Sequence, residues 1–493
     1  MKTYECDIAV LGGGPAGLSA ALTAASGGSS VVLIDEDQSL GGHFYKNLPP
    51  QFKYASFSGK RAQTLFELQH KQQELLSHDV KILQEARLWG IFQKQGATSS
   101  THHDSPSTQK GFDLYSVNSQ GGTQLVKARL LILAPGVYDR LLPFPGWELP
   151  GVYTPGAIQI MLDRQGLLPG KKILVAGSGP LQIIVSAALV RAGANVVALL
   201  DTSAAFEDIS HLPRALMGLS SRLREMLESL STLLQRHVPI LFRHALWRAY
   251  GTVQEGVRGA LVGRIDSQGH PIAGTERQFE VDTICIAYGF IPSITLTLYL
   301  GCTHIFDNDL YAYVPKVDYR MQSSLRGVFI AGDVTGVGGK PLAELQGRIA
   351  GFSALEQLGI LSTCEAERLR NQLAPAILRE QHFARWLWSR YRLRLGLLDL
   401  MDDDTIICHC EGVKLGQLRE SVNQGARDLY GLKLRTRLGM GYCQGRYCIP
   451  NAMAWLSVQT GHPVPQLGMV SIRPPFFPVR LKDIAGLKIK ETQ

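Results

Sequence analysis

Two sets of residues in this chain could do chemistry: a cluster of thiols and a pair of glycine-rich turns. Cys408-His409-Cys410 and Cys443-Gln444-Gly445-Arg446-Tyr447-Cys448 form the pattern C-x-C-x32-C-x4-C. Four thiolates can hold a [2Fe–2S] cluster, two per iron. Structural zinc favours C-x2-4-C knuckles, and neither pair fits that spacing well. A Rieske centre needs two His ligands, and no second histidine accompanies His409. The predicted ligands are therefore Cys408, Cys410, Cys443 and Cys448. Pairs separated by one and by four residues can each clasp an iron where the chain turns sharply. Gly412, Gly439, Gly441 and Gly445 supply that freedom. Lys433, Arg435, Arg437 and Arg446 lie close in sequence and could offset the cluster's negative charge. Cys6, Cys285, Cys302 and Cys364 are isolated and read as core residues.

The first turn reads Gly12-Gly13-Gly14-Pro15-Ala16-Gly17, a fit to G-x-G-x-x-G. Gly12 allows the tight turn, Gly14 lets the backbone approach a pyrophosphate, and Gly17 lets helix and strand pack closely. Phosphates then meet a helix N-terminus, where free N–H groups favour negative charge. Asp35 follows Gly17 by eighteen residues, where a carboxylate can accept from ribose hydroxyls. Two later segments narrow the nucleotide to FAD. Leu130–Gly136 reads LLILAPG, and Gly327–Asp333 reads GVFIAGD. The second resembles the flavoprotein segment whose Asp bonds the ribityl chain, a resemblance that implies this role for Asp333, with Gly332 clearing space. A helix from about residue 341 would aim its N-terminus at the flavin, stabilising negative charge on the reduced ring. Gly41-Gly42 suits a loop passing the pyrophosphate, with His43, Tyr45 and Lys46 as loop residues.

The second turn, Gly177-Ser178-Gly179-Pro180-Leu181-Gln182, places a large side chain where the third glycine belongs. Asp201 ends the next strand, and no Arg follows at once, so a 2′-phosphate is disfavoured. NAD, ATP or a site kept only for its fold are all open readings. No C-x-x-C or C-x4-C closely follows either turn, which argues against a redox-active disulfide beside the flavin.

These residues must be positioned by alternating strands and helices. Residues 7–11 and 30–34 read as buried strands around a helix ending near residue 26. Residues 81–133 read as a three-stranded meander with a mobile loop at 96–110. Residue 171 opens a second strand–turn–helix–strand unit, and residues 204–280 mix helices with short strands. Buried strands are predicted at 283–287 and 328–331. Residues 365–394 hold seven Arg and three acidic residues, with Trp386, Trp388 and Tyr391 interleaved. Such a stretch reads as a solvated helix with its aromatic face on the core, and it could touch anionic lipid or a partner. No nucleic-acid motif accompanies it.

The 493 residues suit about three domains, and 45% apolar against 19% charged residues is globular composition. A net charge of +8 permits an anionic partner without demanding one. Residues 8–34 and 173–190 are uncharged, but Gly- and Pro-containing turns interrupt both, so neither reads as a membrane span. No basic segment precedes the first apolar stretch. A cytoplasmic protein is expected, with membrane association only through a complex. The predicted fold is α/β. It has two dinucleotide-binding, glutathione-reductase-like domains, FAD-binding at 1–150 plus 281–364 and a second at 151–280. An Arg-rich connection at 365–403 leads to a small four-cysteine [2Fe–2S] domain at 404–493.

Together these features resemble the alpha subunit of dye-linked amino-acid and imino-acid dehydrogenases. That family includes the hydrogen cyanide synthase, opine oxidase and hydroxyproline or proline dehydrogenase complexes. The likeness covers nearly the whole chain. It rests on both turns, Pro150-Gly151-Val152-Tyr153, Gly332-Asp333, the run from Thr436 to Cys448, and Arg473-Pro474-Pro475. It implies an electron-transfer subunit carrying FAD and a [2Fe–2S] cluster, with C–N oxidation on a flavoprotein beta subunit. Some relatives hold FMN at the subunit interface, and some bind ATP in the second domain. A small third subunit and a downstream electron acceptor fit the same plan. The competing functions are a self-sufficient NAD(P)H-dependent reductase, with the second turn delivering hydride, and a non-catalytic scaffold.

Overall fold

The computed structural model describes residues 1–45, 60–94, 111–204 and 220–485. Lys46 and the loop expected at 96–110 lie outside the described residues. Lys2–Leu11 ends in four consecutive buried apolar residues, as a strand covered on both faces requires. It pairs in parallel with Val31–Ile34 on one side and Thr123–Leu133 on the other. Lys81–Leu83 extends one edge, and Val328–Ile330 pairs in parallel with the end of Thr123–Leu133. The beginning of that long strand instead joins an antiparallel meander with Phe112–Val117 and Arg87–Gln93. Four strands thus form where the sequence suggests three. The extra one, Lys81–Leu83, belongs to the parallel sheet. Pro15–Ser26 crosses this sheet as a helix. Pro15 occupies its first turn, where the missing N–H costs nothing.

The second unit repeats the plan. Lys172–Gly177 lies between Asn195–Asp201 and Thr283–Ala287, all parallel. Ile240–Phe242 and Val152–Tyr153 form the edges, and an antiparallel sheet of His244–Thr252, Gly256–Arg264 and Arg277–Glu280 packs against it.

The Arg-rich segment is more than a connection. Thr363–Arg390 is one 28-residue helix, capped by the Ser362 hydroxyl. It packs on the helix Gly339–Gln357. Arg370, almost fully buried, bonds Glu356 at 2.6 Å and Glu367 at 2.7 Å. Removing one partner of such a buried pair costs about 3–5 kcal/mol, so this pair pins the helix. The Trp388 indole N–H donates to the Val337 carbonyl at 2.5 Å. The aromatic face turns inward, as the sequence suggests. Among the described residues, no helix is long and apolar enough to cross a membrane.

The cysteine segment is a hairpin, Ile406–Cys408 with Val413–Lys414, followed by helices Leu415–Asn423, Leu429–Thr436 and Cys448–Thr460. Its core is continuous with that of the second sheet. Leu418, Leu432 and Trp455 join Ala176, Leu200 and Ile284 in one apolar cluster. The residues after this segment reach further. Phe476 and Phe477 pack with Trp89, Phe112 and Leu114 of the first unit, and the Phe476 N–H donates to the Trp89 carbonyl at 3.0 Å. This stretch therefore returns to the first sheet.

Candidate functional site

The first turn packs as its residue types demand. A Cβ on Gly17 would lie 1.7 Å from the Gly12 carbonyl oxygen, so only glycine permits this helix–strand approach. A Cβ on Gly14 would meet nothing within 4 Å. That open space faces a cavity of about 2150 Å³, lined by Gly12, Gly14, Asp35, Gly42, Gly136, Gly332 and Asp333. Ordinary ligand pockets run to roughly 1,000 Å³, so this one has room for two nucleotides. It also reaches Gly179 and Asp201 of the second turn. Gly17 and Gly177 do not line it; they serve the packing behind it.

Asp35 is buried, and burial pushes its carboxyl up to about 6 despite two backbone bonds. One oxygen accepts from the Gly13 N–H, and the other from the Asp37 N–H at 2.7 Å. A carboxylate offers about four lone-pair positions, so two remain for a ribose. Asp333 Oδ1 accepts from the N–H groups of Gly338 and Gly339 at 3.0 and 2.8 Å. The residue thus braces the start of the helix Gly339–Gln357. That start, with Lys340, lines the cavity. These residues fit an extended dinucleotide whose pyrophosphate passes Gly14.

The second turn differs at its acid. Asp201 Oδ2 accepts from Gln182 Nε2 at 2.6 Å, and Oδ1 from the Ser203 N–H and hydroxyl at 2.8 and 2.7 Å. Burial holds this carboxyl above its ordinary range, and those donors pull it back only partly. Three of about four acceptor positions are filled. The large sixth residue that the sequence flags therefore occupies the acid itself.

The four cysteines come together as two contacting pairs. Cys408 meets Cys448, and Cys410 meets Cys443. The sequence suggests pairing within C-x-C and within C-x4-C; the fold instead pairs across the two segments. The cause is close packing of the segments, since a Cβ on Gly441 would lie 2.2 Å from the Cys410 Cβ. Cys408 and Cys448 are buried, Cys443 half-buried and Cys410 exposed. The contact with Cys448 draws the Cys408 thiol down to about 6, helped by backbone N–H groups of Gly439, Glu411 and Cys410. The same contact, with burial, holds Cys448 up. Two thiol pairs, one of them containing the lowered thiol of Cys408 and opening a helix at Cys448, suit a two-iron cluster. Of the other cysteines, Cys6, Cys285 and Cys302 are buried as the sequence suggests. Cys364 is not a core residue. It is exposed, because it falls in the first turn of the long helix, on the side away from the packed face.

Several functional candidates are not visible as motifs. Phe476, Phe477, Trp386 and Tyr391 line the cavity, although they are distant in sequence from both turns. Tyr45 is no simple loop residue. It is buried, with its hydroxyl 3.2 Å from the Glu67 carboxylate and 3.3 Å from that of Glu344. Of the four cations near the cysteines, Arg437 bonds Glu411 at 2.8 Å and Arg435 bonds Gln424 at 3.2 Å. Arg446 lines the cavity. Arg140 is buried beside Tyr138 and donates to the carbonyls of Leu310 and Tyr311 at 2.8 and 3.3 Å. A residue's place between two sites is set by tertiary packing, so only Arg446, inside the cysteine pattern, carries a sequence signal.

The profile for pyridine nucleotide-disulphide oxidoreductases matches residues 6–352, and that for the BFD-like [2Fe–2S] binding domain matches residues 406–457. The chain is 29% identical to an opine oxidase subunit from Rhizobium meliloti, over 98% of this chain and 87% of that one. It is 30% identical to hydrogen cyanide synthase subunit HcnB of Pseudomonas protegens, over 95% of both chains. The crystal structure of L-proline dehydrogenase from P. horikoshii matches with a TM-score of 0.66 and 21% identity, over 98% of this chain and 80% of that one. At that identity the likeness concerns the fold alone. The opine oxidase and hydrogen cyanide synthase subunits are relatives of the kind to which the Thr436–Cys448 run points.

Proposed function

The chain belongs to the pyridine nucleotide-disulphide oxidoreductase family and carries a BFD-like [2Fe–2S] binding domain, and on that premise we propose that it is the electron-transfer alpha subunit of a heteromeric dehydrogenase acting on the C–N bond of an amino acid, imino acid or opine. One observation carries this reading: a single cavity joins the first glycine-rich turn to Arg446 in the cysteine loop. Bound FAD would accept electrons in pairs and give them up one at a time to a [2Fe–2S] cluster, linking a two-electron oxidation to one-electron acceptors. Gly14 and Gly136 leave open space for the dinucleotide backbone, and Gly12 and Gly42 pack on the protein backbone beside it. Asp35 accepts from ribose, and Asp333 holds the helix start that faces the cofactor. Cys408, Cys410, Cys443 and Cys448 hold the cluster.

Substrate oxidation is assigned to a partner flavoprotein, because the relatives named above are themselves subunits. FMN at the interface belongs to the same reading. Asp201 weighs against a self-sufficient NAD(P)H-dependent reductase. With Gln182 and Ser203 on its oxygens, it has too few positions left for both ribose hydroxyls of NAD. An adenine nucleotide held by its phosphates, such as ATP, suits the second turn better.

The test uses the purified chain and the co-purified complex, with an artificial dye as acceptor. The chain alone should contain FAD, iron and acid-labile sulfide, and should not oxidise amino acids, imino acids or opines. The complex should. Cys443→Ser should lower iron and sulfide without removing FAD. Robust amino-acid turnover by the lone chain, or stoichiometric reduction of its flavin by NADH, would overturn the assignment.

A further inference from the structure

Val137–Asp139 is a short strand just past Gly136, and it carries Tyr138 between the two sites. One side of Tyr138 opens into the cavity. Its ring meets Tyr447 edge-on, with centroids 5.6 Å apart. Tyr447 is the residue before Cys448, and Tyr138 is also within electrostatic reach of Cys443 and Arg446. Arg446 belongs to the cysteine loop, lines the cavity and acts on both tyrosines. Asp139 on the same strand accepts from the Gly156 N–H at 2.8 Å, and Arg446 makes no carboxylate salt bridge among the described residues. Its charge is therefore not cancelled by a bonded anion, in contrast to Arg437 with Glu411.

A half-buried cation has a large effect on a neighbouring site that gains negative charge. Four thiolates on an oxidised [2Fe–2S] core already carry net negative charge, and reduction adds one more. Net charge near a cluster is one of the factors that set its potential. We propose that Arg446 is the positioning residue that couples the two cofactor sites, holding up the reduction potential of the cluster and, through the shared cavity, that of the flavin, with Tyr138 and Tyr447 as the packed wall between them. This rests on the FAD and [2Fe–2S] reading above. Each transfer across the wall oxidises the reduced flavin by one electron and reduces the oxidised cluster by one. A one-electron acceptor of the quinone or dye class must empty the cluster before the next transfer, and the flavin's proton leaves to water.

The experiment is redox titration of the holoprotein, following the cluster by electron paramagnetic resonance and the flavin by absorbance. Arg446→Gln should lower the cluster midpoint by about tenfold in its one-electron equilibrium constant, or about 59 mV, with FAD, iron and sulfide contents unchanged. Arg446→Lys should stay near the wild type, and Arg435→Gln, which removes an exposed arginine bonded to the neutral Gln424, should move it far less. If Arg446→Gln sheds its cluster, the flavin midpoint of that protein decides, and it should still fall. An unmoved midpoint in Arg446→Gln, or an equal fall in Arg446→Lys or Arg435→Gln, would overturn the proposal. A wild type lacking FAD, or holding zinc in place of iron and sulfide, defeats the underlying assignment as well. A wild type with both cofactors and an insensitive midpoint defeats this inference alone.

Discussion

The two glycine-rich turns share a strand, a tight turn and a helix opened by proline, yet they present different chemistry to one cavity. At the sixth position Gly17 leaves no space for a Cβ, while Gln182 is a fully buried side chain. The second helix therefore stands off from its strand enough to admit a glutamine. That glutamine bonds Asp201 at 2.6 Å. At the first turn the acid takes only backbone donors, from Gly13 and Asp37. The same motif thus yields a carboxylate with two acceptor positions to spare and another with about one. Motif matching alone would score the two turns as near equals. The residue at the third-glycine position separates them, because it decides what the acid is left to bind.

The largest expected difference comes from blocking each turn in the same way. A Cβ at Gly14 or at Gly179 would meet no protein atom within 4 Å. Gly14 has a φ of −74° that any residue adopts, so valine there should leave the fold intact and fill cavity space, whereas Gly179 has a φ of +105°, so valine there also strains the second turn. Gly14→Val should weaken FAD binding by roughly ten- to hundredfold, the range of about 1–3 kcal/mol for overpacking. Gly179→Val should leave FAD in place. Flavin absorbance per folded chain, with circular dichroism as the folding check, reads both. Flavin loss from Gly179→Val rather than Gly14→Val would invert the assignment of the turns.

Gly17→Ala tests the packing half of the same contrast. Its Cβ would press on the Gly12 carbonyl, and that neighbour is backbone, so strand or helix must move. A loss of about 1–3 kcal/mol is expected, measured by thermal or urea unfolding of the protein freed of flavin. An unchanged midpoint would mean that the first helix can stand off as the second does.

Both turns are legible in the sequence because their geometry is local. Residues within six positions set the turn, and the acid sits one strand away. The parallel strands are equally legible as unbroken apolar runs. The enclosure of the site is not. Phe476 and Phe477 reach Trp89, Phe112 and Leu114 from more than 350 residues away along the chain. Trp386 and Tyr391 reach the cavity from a segment that composition marks only as Arg-rich. The cysteine pattern identifies four thiols, but their contacts cross between two segments and depend on Gly441 packing against Cys410. Tyr138 has no motif at all. Long-range packing places each of these residues, and spacing along the chain does not encode it.

A pH titration sharpens the contrast at the acids. Burial raises Asp35 to about 6. The ionised form accepts from ribose hydroxyls, and protonation removes acceptor positions. FAD affinity should therefore be flat well above pH 6 and fall as pH drops through it, by about tenfold one unit below. The same raised value means that the flavin-free chain loses stability as pH rises from about 4 to about 6, since the unfolded chain ionises Asp35 first and folding then has to bury the charged form. Asp35→Asn should flatten both dependences. A FAD affinity that is flat from pH 7 to pH 5 in the wild type would show that Asp35 does not hold the ribose.

The smallest effect is expected where the second turn is made more like the first. Gln182→Ala removes the Nε2 donor from Asp201 without asking the helix for glycine, which costs about 1 kcal/mol against alanine. Two consequences follow from the loss of one hydrogen bond. Asp201, already raised by burial, should rise further, because a donor that favoured its charged form is gone. One more acceptor position on Asp201, which itself lines the cavity, is left open at pH values where the carboxylate is ionised. A ribose hydroxyl must displace water to use it, and a typical hydrogen bond made in exchange contributes about 0.5–1.5 kcal/mol net. The gain in affinity for NADH should therefore be only several-fold, seen as a lower Kd by fluorescence at pH 8 and a smaller gain at pH 6. Flavin reduction by NADH should remain slow, since binding the ribose does not by itself bring the nicotinamide to the flavin. If the wild type already binds NADH as tightly as Gln182→Ala, with the same pH dependence, then the glutamine is a packing residue only. The two acids would in that case be equivalent.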